Sequence, residues 1–203
     1  MNYPLKRKIM SRDKASKRHK RRATAAASPV AAPRPDPESL EIVLWPDPVL
    51  TRRAGDVEKI DSWLLQVIER MKQLMESHEG VGLAAPQVGL PLRLFVMAEK
   101  AKADQAIAVI NPVLELGSET LEAEEGCLSL PGIRGQVIRA KSVTLTGYDV
   151  KGGPVSMPLE DFPARIAQHE NDHLDGVLII ARMSPSARIA LGKKLRDLEA
   201  RAG

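Results

Sequence analysis

Aromatic side chains are scarce in this 203-residue chain: two Trp, two Tyr and two Phe make up 3 % of it. Hydrophobic residues reach 43 %, so a core is available, but it has to be packed from aliphatic side chains. Cysteine is rarer still. Cys127 stands alone, which excludes an intramolecular disulfide, fits a reducing compartment and leaves one thiol for chemistry. No apolar run approaches the roughly 18 residues that a membrane-spanning helix needs, so no membrane span is expected. The length suits one domain with a tail, and there is no internal repeat.

The net charge of +4 conceals two unlike parts. Residues 1–34 hold eleven Lys/Arg against one acid, Asp13, whereas the remainder holds 19 bases against 25 acids. A basic appendage thus precedes a mildly acidic body. Residues 1–38 lack any helical or strand period, pass through Lys17–Arg22 and Ala25-Ala26-Ala27, and end in Pro29, Pro33, Pro35 and Pro37. Such a composition buries too little apolar surface to offset its ordering entropy, and it reads as a disordered extension. An organelle transit segment, a polyanion-binding arm, or a start placed too far upstream (Met10 being another candidate) are the competing readings.

Residues 39–203 read as a single α+β domain, with short antiparallel or mixed strands around a central helix and a helix at the C-terminus. Glu41–Leu44 suggests a strand, followed by a Trp45-Pro46-Asp47-Pro48 turn. Asp61 is a good N-cap for a helix whose apolar face is Leu64, Val67, Ile68, Met71, Leu74 and Met75, ending near His78. Strands are expected at Leu92–Met97, Ala106–Ile110, Gln136–Ile138, Val143–Tyr148 and Val155–Leu159, with Lys151-Gly152-Gly153 as a turn. A helix starts near Asp161, tolerating Pro163 in its first turn. After Ser184-Pro185, Ala187, Leu191, Leu195 and Leu198 mark a last helix, with Arg188, Lys193, Lys194, Arg196 and Arg201 on its outer face.

The central helix carries Gln168-His169-Glu170-Asn171-Asp172-His173. Histidines at i and i+4 lie one turn apart on one face and can reach the same metal ion. Glu170 sits about 100° further round, beside the ion, where a general base belongs. By itself the pattern also fits an ordinary polar helix face. The flanking Ile166, Ala167, Leu174 and Val177–Ile180 argue for burial, however, and buried imidazoles need a metal or hydrogen-bond partners. Asp172 is a candidate to orient a ligating imidazole, or simply an exposed acid. Extended zinc peptidases place a third histidine where this chain has Ile179, although Gly176 fits their pattern. Glu199 looks like a solvated residue, His19 lies in the tail, and His78 looks like a helix cap. Cys127 is the better third ligand, in the loop Glu125-Gly126-Cys127-Leu128-Ser129-Leu130-Pro131, though a lone cysteine can equally be a small core hydrophobe. A third segment, Gly80-Val81-Gly82-Leu83-Ala84-Ala85-Pro86-Gln87, is small enough to let another backbone approach, or is merely a tight connection.

Together, in this order, the three segments resemble the peptide deformylase family, and the likeness extends from about Leu40 to the C-terminus. The resemblance implies hydrolysis of the formyl group from the N-terminal formylmethionine of new polypeptides, releasing formate. It implies metal ligands Cys127, His169 and His173, water activated at the cation, and Glu170 as general base and then acid. Oxyanion donors would be the Gln87 side chain and the Leu128 N–H. An extended substrate would pair with the backbone of Val81 and Gly82 and meet Arg134. Ile166 and Ala167 would line the methionine pocket, and Glu79 with Arg139 would form a supporting ion pair. The implied cofactor is one divalent ion, Fe2+ by family habit, with Zn2+, Ni2+ or Co2+ as substitutes. Partners would be formylated nascent peptides and, through the basic C-terminal helix, the ribosome. The location would be cytoplasmic, or an organelle if the extension is a transit segment. Nothing in the pattern speaks to oligomeric state. Two alternatives remain: a zinc-type peptidase, and an inactive ribosome- or polyanion-binding homologue.

Overall fold

A computed structural model describes residues 34–100 and 102–201 of the chain. The basic extension therefore lies, up to residue 33, outside the described residues. Pro35 is already tied down: its carbonyl accepts from Trp63 Nε1 at 2.9 Å, and Asp36 caps a 3-10 turn over Pro37–Ser39. The folded unit starts four residues before the expected boundary of 39.

Helix α1 (Ser62–Ser77) begins where Asp61 accepts a hydrogen bond from Leu64 N–H, and all six expected apolar residues are buried. Strands β1 (Gly82–Ala84), β2 (Leu94–Met97), β3 (Ile107–Leu116), β6 (Ser142–Tyr148) and β7 (Pro154–Glu160) form one antiparallel sheet in the order β1-β2-β3-β6-β7. A separate hairpin pairs β4 (Thr120–Gly126) with β5 (Arg134–Ala140). Helices α2 (Asp161–Leu174), α3 (Ile179–Arg182) and α4 (Pro185–Arg201) complete the fold.

The run Leu94-Phe95-Val96-Met97 explains how the layers stack. Alternate residues on a strand face opposite sides. Leu94 and Val96 pack into the cluster built on α1, while Phe95 and Met97 join Ala164, Ile166, Ala167 and Leu174 of α2. Both faces of β2 are covered, so its sequence is continuously apolar rather than alternating. A third cluster joins Ile133 and Val137 to Leu178, Ile179, Met183 and Leu198, which holds the β4–β5 hairpin against α3 and α4. Gln168 ties α2 to the end of β5, donating to Ala140 O at 2.8 Å and accepting from Ala140 N–H at 3.0 Å.

Glu41–Leu44 forms no strand; Val43 N–H donates to Gln87 O and Trp45 N–H to Ser129 O, so this segment is extended but crosses two loops instead of joining a ladder. Asp161 does open α2, and the helix ends in a Schellman turn, Val177 N–H to Asp172 O and Gly176 N–H to His173 O. Gly176 takes a φ of +72°, and a Cβ there would stand 2.7 Å from the Thr51 carbonyl. That backbone requirement, rather than a metal-peptidase motif, accounts for the glycine.

Candidate metal centre and active site

Cys127, His169 and His173 come together although Cys127 and His169 are 42 positions apart in the sequence: one ligand atom from each lies within 4.8 Å of the others. Cys127 leaves the end of β4, and the two imidazoles project from successive turns of α2 with ring centroids 5.0 Å apart. Cys127 Sγ is 3.3 Å from His173 Nε2. A tetrahedral ion with ordinary sulfur and nitrogen bond lengths would set such a pair about 3.5 Å apart. Among the described residues this is the only group of three possible ligands. His173 is buried and its Nδ1 finds no partner. Burial, and then the charge of His169, hold its pKa well below the usual value. The donor set fits a divalent cation.

Glu170 is 3 % exposed, and its Oε2 has no hydrogen-bond partner. Burial raises its pKa to about 7, against the opposing pull of His169 and Arg139. A carboxyl poised there can both accept and donate a proton near neutrality. Its other face presses on Gly82, where an added Cβ would fall 2.2 Å from Glu170 Oε1 and 2.7 Å from its Cδ. Gly82→Ala should therefore displace the carboxyl and lower turnover on the order of 10²-fold, as an ångström-scale misplacement does. Metal content measured alongside should stay at the wild-type level; unchanged turnover would mean that Glu170 tolerates the shift.

Gln87 is held with its amide nitrogen aimed at the cluster. Its Oε1 accepts from Ala84 N–H at 2.9 Å, while Nε2 donates to Ser129 Oγ at 3.3 Å and faces Cys127 Sγ at 3.6 Å. Among the described residues the Leu128 N–H has no acceptor. Gln87, Cys127, Leu128, His169 and Glu170 all line one cavity of about 600 Å³. Val81, Gly82, Arg134 and Ile166 line it as well. Strand β1 is the sheet's edge, with β2 on one side only. Val81 O accepts from Ala98 N–H, so by alternation the Gly82 N–H and C=O face the open edge. Arg134 is largely exposed at the rim, 3.5 Å from Glu124. His78 caps α1, its Nδ1 2.8 Å from Leu74 O, and Glu199 is exposed on α4.

Three expectations about supporting residues are corrected. Asp172 does not hold an imidazole; it is engaged by Arg139 and Arg182. The acceptor for His169 Nδ1 is Glu125 Oε2 at 2.9 Å. Arg139 pairs with Glu125 and Asp172 rather than with Glu79, which lines the cavity from a left-handed turn at φ +54°. Ala167 packs fully buried against the sheet and leaves the lining to Ile166. Burial pushes the Glu125 carboxyl up, but hydrogen bonds from Arg139 and His169 outweigh it and hold the group far below the usual carboxylate range. For His169, burial opposes a charge, while bonds to Cys127 and Glu125 drive the value up to about 10. Sequence reading passed over Glu125, Arg165 and Arg182; the one available signal was that Glu125 directly precedes Gly126-Cys127.

Comparison with known proteins agrees with the geometry. The family described as polypeptide deformylase matches residues 39–188. A peptide deformylase of Thermotoga neapolitana is 50 % identical over 153 residues, covering 75 % of this chain and 92 % of its own. The crystal structure of the Thermotoga maritima peptide deformylase superposes with a TM-score of 0.68 at 47 % identity, over 72 % of this chain and 98 % of that one. A Plasmodium falciparum peptide deformylase gives 0.77 at 36 % identity, over 79 % and 96 %.

Proposed function

This chain belongs to the peptide deformylase family, and on that footing we propose which of its residues carry the reaction. The enzyme removes the N-terminal formyl group of newly made polypeptides, adding water across the formyl C–N bond to give formate and a free amine. Cys127, His169 and His173 would hold one divalent cation, three protein ligands being the number usual in catalytic rather than structural sites. Their convergence within 4.8 Å, beside a buried carboxylate, is the observation that carries this reading. When bound, the cation supplies Lewis acidity, polarising the formyl carbonyl and making water nucleophilic at neutral pH. Thiolate and imidazole donors suit Fe2+, Zn2+, Ni2+ and Co2+. Fe2+ is the proposed working ion by likeness to the family, the others being substitutes in purified protein.

Glu170 takes the proton of the attacking water and returns it to the departing nitrogen. Gln87 Nε2 and the Leu128 N–H donate to the oxygen that gains charge, each such donor being worth about 3–4 kcal/mol of barrier. The peptide lies extended along the free edge of β1, with Gly82 supplying N–H and C=O, Val81 flanking it, and Arg134 at the rim. Ile166 packs against the methionine side chain. Arg188, Lys193 and Arg196, exposed on α4, offer a basic face for ribosomal phosphates, and the proposed location is the cytoplasm, or an organelle if the N-terminal extension is a transit segment. No described helix is long and apolar enough to cross a membrane.

Incubation with a formyl-Met tripeptide should release formate and leave the unformylated peptide intact. Cleavage of internal peptide bonds instead would install the zinc-peptidase reading.

A further inference from the structure

The Glu125 carboxylate, 6 % exposed, accepts four hydrogen bonds. Arg139 Nε (2.9 Å) and Arg165 Nη1 (2.7 Å) reach Oε1, while Arg139 Nη2 (2.9 Å) and His169 Nδ1 (2.9 Å) reach Oε2. Arg139 extends its remaining arm to Asp172 Oδ2 at 2.5 Å. Asp172 is clamped in turn by Arg182, Nε to Oδ2 at 3.0 Å and Nη2 to Oδ1 at 2.5 Å. One continuous series of ion pairs thus runs inward from Arg182, whose side chain is 48 % exposed, to the ring of a proposed metal ligand. Arg139, Asp172 and Arg182 line a second cavity, of about 720 Å³, which shares no lining residue with the active-site cavity.

We propose that Arg182 and Arg139 are positioning residues which, through Asp172 and Glu125, fix the His169 ring and thereby set how tightly the metal is held. The inference rests on the ligand assignment above. A carboxylate buried this deeply keeps its charge only if cations hold it, and the planar Arg139 fork supplies both charge and orientation. Glu125 Oε2 lies 2.9 Å from His169 Nδ1, which fixes the ring and leaves its other nitrogen, Nε2, for the cation. Arg139 can keep that alignment only while its third contact is fixed, and Asp172 is fixed at its carboxyl by Arg182. Buried ion pairs add little net stability over apolar packing of the same volume, so the value of this series lies in geometry. Partners behind a metal-bound imidazole typically govern metal affinity by about 10- to 100-fold.

The test loads the full chain with Co2+ and follows its transfer to a chelator by loss of the cobalt–thiolate absorption. Thermal unfolding of each variant without metal is recorded beside it. Arg182→Ala should release Co2+ about 10-fold faster, Arg182→Lys should recover most of the loss, and Arg139→Lys should approach 100-fold. In a Glu125→Gln background, Arg182→Ala should add less than about twofold, because the series is already cut. Arg182→Ala that lowers the melting temperature yet releases metal at the wild-type rate would overturn the proposal, as would full additivity with Glu125→Gln. Should Arg139→Lys fail to fold, the half-exposed Arg182 decides the matter alone. A wild-type chain that binds no Co2+ strikes at the ligand assignment instead, a separate result.

Discussion

Replacing Glu170 by Gln should leave metal content intact and cut formyl-Met-peptide turnover by about 10⁴-fold, the upper range for loss of a general acid–base group. The substitution is nearly isosteric, so the tight contact with Gly82 persists. What disappears is the ability to take a proton from water and return it to nitrogen. Stability should not suffer. Glu170 Oε2 is buried without a partner, an arrangement that costs about 1–3 kcal/mol and is tolerated where function requires it. A neutral amide removes the penalty of burying a charge, so the melting temperature of the variant should equal or exceed that of wild type. Turnover within tenfold of wild type would take Glu170 out of the proton-transfer role.

The parts of the fold that could be read in advance are those with a local period. The six apolar positions of α1 fall on one helical face, and all are buried. Strand β3 was anticipated only to Ile110 because Asn111-Pro112 breaks its alternation; the strand continues to Leu116 past a register shift, with Asn111 at φ +50°. Strand β4, Thr-Leu-Glu-Ala-Glu-Glu-Gly, gave no signal because it is mostly exposed and charged. Its single buried residue is Glu125, which is there for His169 and two arginines rather than for the core. Pairing of that kind, across 14 residues to Arg139 and 44 to His169, follows no sequence period. The same blindness left Asp172 as a candidate partner for an imidazole or an exposed acid, and it is neither. On a helix, three residues from His169, it was plausibly placed, but its carboxyl turns towards Arg139 and Arg182. The convergence of Cys127, His169 and His173 was legible because i, i+4 histidines are a local pattern, and the lone cysteine limited the choice of a third candidate.

Removing that third ligand should have the other large effect. Cys127→Ala deletes the atom 3.3 Å from His173 Nε2 and leaves two imidazoles to hold the ion. Gln87 keeps its bonds to Ala84 and Ser129, and Cys127 is only partly buried, so the fold should survive. Loss of one of three protein ligands should weaken binding by several kcal/mol, given that a whole structural site contributes roughly 10–16 kcal/mol. Activity should then fall below detection. The decisive measurement is elemental analysis of wild type and Cys127→Ala after exhaustive dialysis, with folding verified by circular dichroism. One equivalent of metal in the wild type and almost none in the variant is the expected result; a folded variant that still carries a full equivalent would contradict the assignment of this centre.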